Sequence, residues 1–212
     1  EAVNEFGNLM IVAPDKPQSG MGHAITVNEP LRYQETTYFK PIKAFFAKIK
    51  KLNNIDRTLC NRQRIRIHLG TQEVIGRLIM NSKHITSKDE YALIKLESPL
   101  VAAYLDRFII RQYSPIITLG GGKIIDTDIA KSWKKNSLYL EKLAKCKSDN
   151  YIPSIIEKYY LNPINIDSFS KLIGFSYQKT IDFITLFDEI LIIEHNKNKW
   201  LLTKKQHSNL KK

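Results

Sequence analysis

The pattern of apolar and polar positions is most regular between residues 62 and 126. There the run Arg64–Leu69 alternates basic and apolar residues at every position. Because successive side chains of a strand point to opposite faces, one set faces a core and the other faces solvent. The inward set is Ile65, Ile67 and Leu69. The outward set is Arg64, Arg66 and His68. The alternation therefore predicts a half-buried strand with a basic outer face.

The same stretch contains further short apolar runs at near-even spacing. Gly70-Thr71 ends the first strand, and Glu73–Met80 has the pattern of its returning partner. Between the last two expected strands, Gly120-Gly121-Gly122 is expected to form a tight turn with positive φ, which glycine adopts easily. Short strands spaced in this way predict a closed antiparallel barrel or a sandwich. The other expected strands are Ala44–Ile49, Tyr91–Leu96, Asp106–Gln112, Ile116–Leu119 and Lys123–Asp126.

After Asp126 the apolar positions repeat with helical spacing. Amphipathic helices are predicted over Ile129–Lys145 and Tyr151–Leu161, and Asn162-Pro163 ends the second of them. The change of period from strand to helix predicts a boundary near Asp126.

The next segment predicts two short helices and a hairpin. Asp167 is the expected N-cap of the first helix and Gly174 its end, while Ser176 caps a second helix over Tyr177–Phe187. Three helices followed by a hairpin are typical of a winged helix-turn-helix, a pattern that many DNA-binding regulators share. The hairpin strands are Ile190–Glu194 and Lys199–Leu202.

Charge is distributed unevenly along this chain, whose formal net charge is +12. Residues 1–32 carry two basic and four acidic side chains, residues 33–126 carry sixteen and eight, and residues 127–212 carry fifteen and nine. Basic proteins bind polyanions because each neutralised phosphate releases counterions. The charge favours a nucleic-acid partner for residues 33–212, although a basic protein without such a partner can have the same composition.

The cysteines and the hydropathy indicate a compartment. Cys60 and Cys146 lie far apart without metal-ligand spacing, so we expect two reduced thiols. No signal peptide and no apolar run of membrane-spanning length occur in the sequence. We therefore expect a cytoplasmic protein with no membrane partner.

Several segments of the predicted barrel have amino-acid sequences similar to those of a known family. In chain order they are Arg66–Val74, Leu96–Val101, Asp106–Arg111, Ser114-Pro115 and Gly120–Asp126. They resemble the third domain of the selenocysteine-specific elongation factor SelB, a relative of elongation factor Tu. The resemblance covers about residues 41–126 and implies a small antiparallel β-barrel that helps to hold aminoacylated tRNA beside a GTPase domain. Members of that family continue into tandem winged helices, in the order predicted above.

Residues 9–26 have a different pattern, a short apolar run followed by a glycine-rich loop. Val12–Asp15 followed by Gln18–Thr26 resembles the SurE survival-protein nucleotidases, α/β metal-dependent phosphatases that act on nucleoside monophosphates. The resemblance implies Ser19 as a metal ligand, but the Asp-Asp pair and the later Asn of that family have no counterpart here. Hard divalent cations require carboxylate oxygens, so Ser19 is expected to be vestigial. Two unrelated resemblances that meet around Tyr33–Pro41 indicate a gene fusion or a misassembled reading frame.

The candidate site is the basic outer face of the barrel. The Gly120–Lys123 segment fails the phosphate-loop pattern because Ile124 follows the lysine. No GTP-binding motif is found, so GTP and Mg²⁺ are expected to belong to a GTPase domain absent from this chain, and no cofactor is expected here. A merely solvated face is the alternative for the arginines. The resemblance implies RNA contact for Arg64, Arg66, His68, Arg107, Arg111 and Lys123.

The sequence thus predicts an α+β multidomain chain. The expected parts are an incomplete α/β-type nucleotidase fragment (1–40), an elongation-factor-like barrel (41–126), a helical linker (127–150) and a winged helix-turn-helix (151–205). The expected function is a non-catalytic carboxy-terminal portion of a selenocysteine-specific elongation factor, with tRNA or other RNA, the ribosome and a GTPase domain as partners. The alternatives are a metal-dependent 5′-nucleotidase fragment and a winged-helix DNA-binding regulator. Arginine, the usual reader of guanine, does not occur in residues 127–212, which argues against the regulator.

Overall fold

Six strands within residues 42–126 form a closed antiparallel barrel. The computed structural model of the chain describes residues 41–52, 57–85, 89–146, 150–196 and 198–210. The strands are β1 (Ile42–Lys51), β2 (Arg64–Leu69), β3 (Gln72–Ile79), β4 (Asp89–Leu100), β5 (Arg107–Gln112) and β6 (Thr118–Asp126). They pair in the circular order β1-β4-β3-β2-β5-β6, and β6 returns to β1. Of the two architectures expected from the sequence, the closed barrel is confirmed.

The alternation in β2 matches its burial. Ile65 and Ile67 are fully buried and Leu69 nearly so, while the intervening basic side chains point outward and are half-buried. Inside the barrel, Phe45 of β1 and Phe108 of β5 meet edge to face with ring centroids 5.3 Å apart. Apolar residues from all six strands thus close over one core, which the period of two in the sequence anticipates.

The glycine-rich segment lies within a strand, so the predicted turn is wrong. The segments Ile116–Leu119 and Lys123–Asp126 were expected as separate strands, but β6 runs continuously from Thr118 to Asp126. A Cβ atom on Gly121 would lie 2.7 Å from the carbonyl oxygen of Phe108, and one on Gly122 would lie 2.4 Å from that of Lys48. The glycines therefore permit the backbones of β1 and β5 to approach β6 closely.

Beyond the barrel the chain forms helices and a small sheet. The helices are α1 (Trp133–Ala144), α2 (Ile152–Glu157), α3 (Ile166–Ile173), α4 (Tyr177–Ile184) and α5 (Lys204–Leu210), and the strands are β7 (Ile164–Asn165), β8 (Ile190–His195) and β9 (Asn198–Thr203). The three strands pair antiparallel in the order β7-β9-β8. We call residues 150–210, from α2 to α5, the helical unit. Its helices are shorter than predicted, since α2 ends before Leu161 and α4 before Phe187.

Local capping explains where α3 and α4 begin. The side chain of Asn165, and not the expected Asp167, caps α3 by accepting a hydrogen bond of 2.8 Å from the backbone N–H of Ser168. Asp167 lies in the first turn, where its negative charge still favours the helix N-terminus. Gly174 ends α3 at φ +78°, and Ser176 caps α4, as expected.

One outer side of the barrel is apolar and is covered by helices. Phe46 of β1, Leu93 of β4 and Ile125 of β6 are at most 1% exposed although they point away from the barrel interior. The ring of Phe46 lies 4.9 Å from that of Tyr139 in α1, edge to face. A second apolar core therefore joins the barrel to the helices.

A buried ion pair lies at this junction. The Lys158 ammonium, just after α2, is 2.7 Å from a carboxylate oxygen of Asp126 and also donates to the backbone oxygen of Asp128. The Tyr159 hydroxyl donates to the Asp128 carboxylate at 2.8 Å. Burial raises the pKa of Asp126, although the Lys158 charge acts in the opposite direction, and burial likewise raises the pKa of Tyr159. These contacts tie the end of β6 to the helical unit.

Candidate nucleic-acid interface

The outward side of β3, β2, β5 and β6 brings the basic residues together. Cross-strand partners on one face of a sheet lie about 5 Å apart, so cations in register become neighbours. The paired positions are Arg64 with Arg77, Arg66 with Arg111, and Arg107 with Lys123. We call this set, together with His68, the basic face. The structure therefore brings the six predicted RNA-contact residues onto one continuous surface and adds Arg77.

The two arginines of β2 are held by carboxylates of neighbouring strands. Arg64 donates two hydrogen bonds to Glu97 of β4, at 2.9 and 2.7 Å, and Arg66 forms an ion pair with Glu73 of β3. These hydrogen bonds lower the pKa of the Glu97 and Glu73 carboxyls, since they favour the charged form. Part of the positive charge of the face is thus neutralised within the protein.

A tyrosine also fixes these two guanidinium groups. The ring of Tyr113, after β5, lies with its centroid 4.2 Å from Arg64 and 5.1 Å from Arg66, within cation–π distance. Arg66 also donates to the backbone oxygen of Tyr113 at 3.1 Å. Tyr113, Glu73 and Glu97 shape the site, and sequence reasoning missed all three. Glu97 and Tyr113 lie 33 and 47 positions from their arginine partners, too far for a local pattern to show. Glu73 is only seven positions from Arg66, and the register of the predicted hairpin could have found it.

The arginines of β5 are less engaged. In the part of the chain that the structure describes, neither Arg107 nor Arg111 has a carboxylate within 4.0 Å. Both flank Ile109, whose side chain is 46% exposed. The guanidinium groups on β5, like that of the exposed Arg77, are therefore more available than those of Arg64 and Arg66.

His68 and Lys123 lie at the margins of this surface. The Nε2 atom of His68 is 3.6 Å from a Glu73 oxygen, too far for a hydrogen bond, and it is buried. Lys123 is half-buried opposite Arg107 and has interactions of its own. Lys123 therefore adds positive charge to the face, whereas the buried Nε2 atom of His68 is not accessible for a direct contact.

The basic face lies away from the helices. In the circular strand order, β2 is opposite β1. The helices cover the outer sides of β1, β4 and β6 through Phe46, Leu93 and Ile125. Among the described residues, no helix covers the side of the barrel centred on β2.

The expectations about a metal ligand and about membrane-spanning segments can be compared with the structure only within the described residues. Ser19 lies outside the described residues. Among the residues that are described, no three His, Cys, Asp or Glu side chains come together as ligands for a metal ion. In the same part of the chain, no helix combines the length and the apolarity needed to cross a membrane.

Comparison with known proteins confirms both resemblances. Residues 47–131 match the family model of the selenocysteine-specific elongation factor, beta-barrel domain, and residues 1–58 match that of survival protein SurE. The selenocysteine-specific elongation factor of Desulfomicrobium baculatum is 25% identical over 118 residues, covering 55% of this chain and 18% of that protein. The 5′-nucleotidase SurE of Cytophaga hutchinsonii is 49% identical over 45 residues, covering 21% of this chain and 17% of that protein. The chain thus spans less than a fifth of either relative.

A solved structure extends the likeness beyond the barrel. The crystal structure of a bacterial selenocysteine-specific elongation factor, EF-Sec, superposes on 82% of this chain and 26% of that one, with a TM-score of 0.57 and 18% identity. At this identity the likeness concerns the fold. The barrel and the helices that follow it are arranged as in a translation elongation factor.

Proposed function

We propose that this chain is a non-catalytic, RNA-binding portion of a selenocysteine-specific elongation factor. Its barrel would hold tRNA through the basic face, in the cytoplasm, with a GTPase domain and the ribosome as further partners. The match of residues 47–131 to the barrel domain of that factor supports the assignment.

The observation that carries the proposal is the open position of the basic face. Three cross-strand pairs of cations lie side by side, and the helices leave that side of the barrel uncovered. The planar guanidinium group of arginine can donate two parallel hydrogen bonds to one phosphate. Contacts to the phosphate backbone position the nucleic acid without contacting the bases. We expect micromolar, strongly salt-dependent binding to tRNA-like RNA with little sequence preference.

We further propose that the helical unit is a winged helix that spaces or weakly supports the RNA contact. Its order of helix, strand, two helices and hairpin supports this assignment. A DNA-reading role has less support because the exposed side chains of α4 are engaged locally. Gln178 donates to Asp182 at 2.8 Å, and the Lys179 ammonium lies 4.6 Å from the centre of the Phe175 ring.

The test is a salt titration of tRNA binding by an Arg107→Ala, Arg111→Ala variant. Neither arginine forms an ion pair within 4.0 Å in the described structure, so their removal should weaken binding about tenfold and lower the slope of log K against log salt by about one to two units. The thermal midpoint should change little, because exposed charges contribute little to stability.

The matched control is Lys134→Ala, Lys135→Ala, which removes two exposed cations from α1 on the opposite side of the barrel. Equal losses of affinity in the two double variants would contradict the proposal, since binding would then follow total charge. An Arg64→Ala, Arg66→Ala variant should lose less than the β5 variant, because Glu97 and Glu73 already neutralise those two arginines.

A further inference from the structure

A cleft lies between the barrel and the helical unit, apart from the basic face. Its volume is about 780 Å³. It is lined by the start of β1, by residues 127–129, and by residues of β7, α3 and β9 of the helical unit. The function proposed above does not use this cleft.

The residues that line the cleft include two aromatic ones, Tyr159 and Trp200, and two cations. Trp200 of β9 is half-buried, and Lys43 of β1 and Lys171 of α3 are exposed. Within the described residues, neither ammonium pairs with a carboxylate. Asn162 and Ser168 add polar groups nearby.

The carboxylate in the cleft does not offset this charge fully. Asp128 accepts the hydrogen bond of Tyr159, and its carboxylate is 3.4 Å from the Lys158 ammonium. Lys158 is shared with Asp126, which lies closer at 2.7 Å, so Asp128 keeps part of its negative charge and its side chain is 46% exposed. The two lysines still outnumber this one carboxylate among the charged residues that line the cleft.

We propose that this cleft binds unpaired nucleotides of RNA. The tryptophan ring would stack on a base, and the two lysines would contact phosphates on either side of it. A ring beside separated cations is the arrangement with which proteins hold single strands. The volume is in the range of about 300–1,000 Å³ typical of small-ligand sites, so the cleft suits unstacked nucleotides and not a duplex. The inference rests on the proposed function, which makes RNA the partner.

The test uses the tryptophan as its own reporter. The chain has two tryptophans, so a Trp133→Phe variant of the full chain leaves Trp200 as the only indole. Titration with a short single-stranded oligoadenylate should quench its fluorescence to saturation, because base stacking brings the adenine against the indole. A blunt RNA duplex should produce little quenching.

Lysine variants give a second readout, by anisotropy of the labelled oligoadenylate with Trp133 and Trp200 both present. Lys43→Gln, Lys171→Gln should weaken binding about tenfold, since two phosphate contacts are lost. The matched control, Lys204→Gln, Lys205→Gln, removes two exposed lysines of α5 that lie outside the cleft. That variant should bind the oligoadenylate almost as tightly as the unmodified chain.

The outcomes separate this inference from the proposed function. If oligoadenylate leaves Trp200 unquenched while tRNA binding at the basic face persists, the cleft proposal is overturned alone. If quenching persists but Arg107→Ala, Arg111→Ala leaves tRNA binding intact, the basic-face proposal fails and the cleft proposal stands. Quenching by a polyglutamate peptide and not by oligoadenylate would overturn the nucleotide assignment in favour of an acidic peptide.

Discussion

Gly122 in β6 lies where a side chain would have to share space with the backbone of β1. A Cβ atom there would be 2.4 Å from the Lys48 carbonyl oxygen and 2.8 Å from the ring of Phe108. Backbone atoms of a paired strand cannot move aside without breaking hydrogen bonds, so the space is fixed. Gly70 is different, because its φ of +57° places it in the left-handed region but a Cβ atom there would have no neighbour within 4 Å.

These two glycines give a matched pair of substitutions. Gly122→Ala should lower the free energy of unfolding by about 3 kcal/mol, because overpacking against fixed backbone must displace β1 or β5. Gly70→Ala should cost only about 1 kcal/mol, the strain of a left-handed alanine. Urea unfolding measures both. Similar losses in the two variants would contradict the close approach of β1 to β6.

At the scale of elements, short sequence patterns correctly predicted those features that depend on residues close together in the chain. The alternation in β2 anticipated which residues are buried, and Gly174 and Ser176 anticipated the ends of α3 and α4. The turn expected at Gly120-Gly121-Gly122 failed, because the need for glycine there comes from two neighbouring strands. Likewise, Arg64 and Glu97 are 33 positions apart, so their ion pair depends on strand order that no local pattern contains.

The contact between β6 and α2 depends on the Lys158–Asp126 pair. Asp126 has no side-chain exposure and Lys158 is 18% exposed. A Lys158→Met variant keeps most of the apolar part of the side chain but leaves the buried Asp126 carboxylate without its cation. We expect a loss of about 3–5 kcal/mol in the free energy of unfolding.

Two controls define that measurement. Adding Asp126→Asn to Lys158→Met removes both charges and should restore part of the stability. Lys142→Met breaks the pair of Lys142 with Glu157, whose side chains are 40% and 24% exposed, and should cost less than about 1 kcal/mol. A Lys158→Met variant as stable as Lys142→Met would show that the buried pair does not hold the two elements together.

At the scale of the whole molecule, the two family resemblances overlap on one strand, β1. The family matches overlap over residues 47–58, and there the structure pairs β1 with both β4 and β6. Residues 42–51 therefore belong to the barrel, although the match to the SurE family model extends to residue 58. The helices cover one side of the barrel and the basic face lies on the opposite side. Among the described residues, the basic face is therefore separate from the surface that packs against the helices.

From the acidic residues in residues 1–40, we predict that the chain does not act as a nucleotidase. A divalent cation in a phosphatase needs several carboxylate oxygens, whereas the sequence of residues 1–40 contains no two adjacent acidic residues. Incubated with AMP and Mg²⁺ or Mn²⁺, the 212-residue chain should release no phosphate above the blank. The SurE nucleotidase of Cytophaga hutchinsonii serves as the positive control. Metal-dependent release that disappears in a Ser19→Ala variant would overturn the prediction and make the nucleotidase-like fragment of residues 1–40 a working enzyme site. Release that persists in that variant would indicate a contaminating phosphatase, which a preparation of residues 41–212 alone would also reveal.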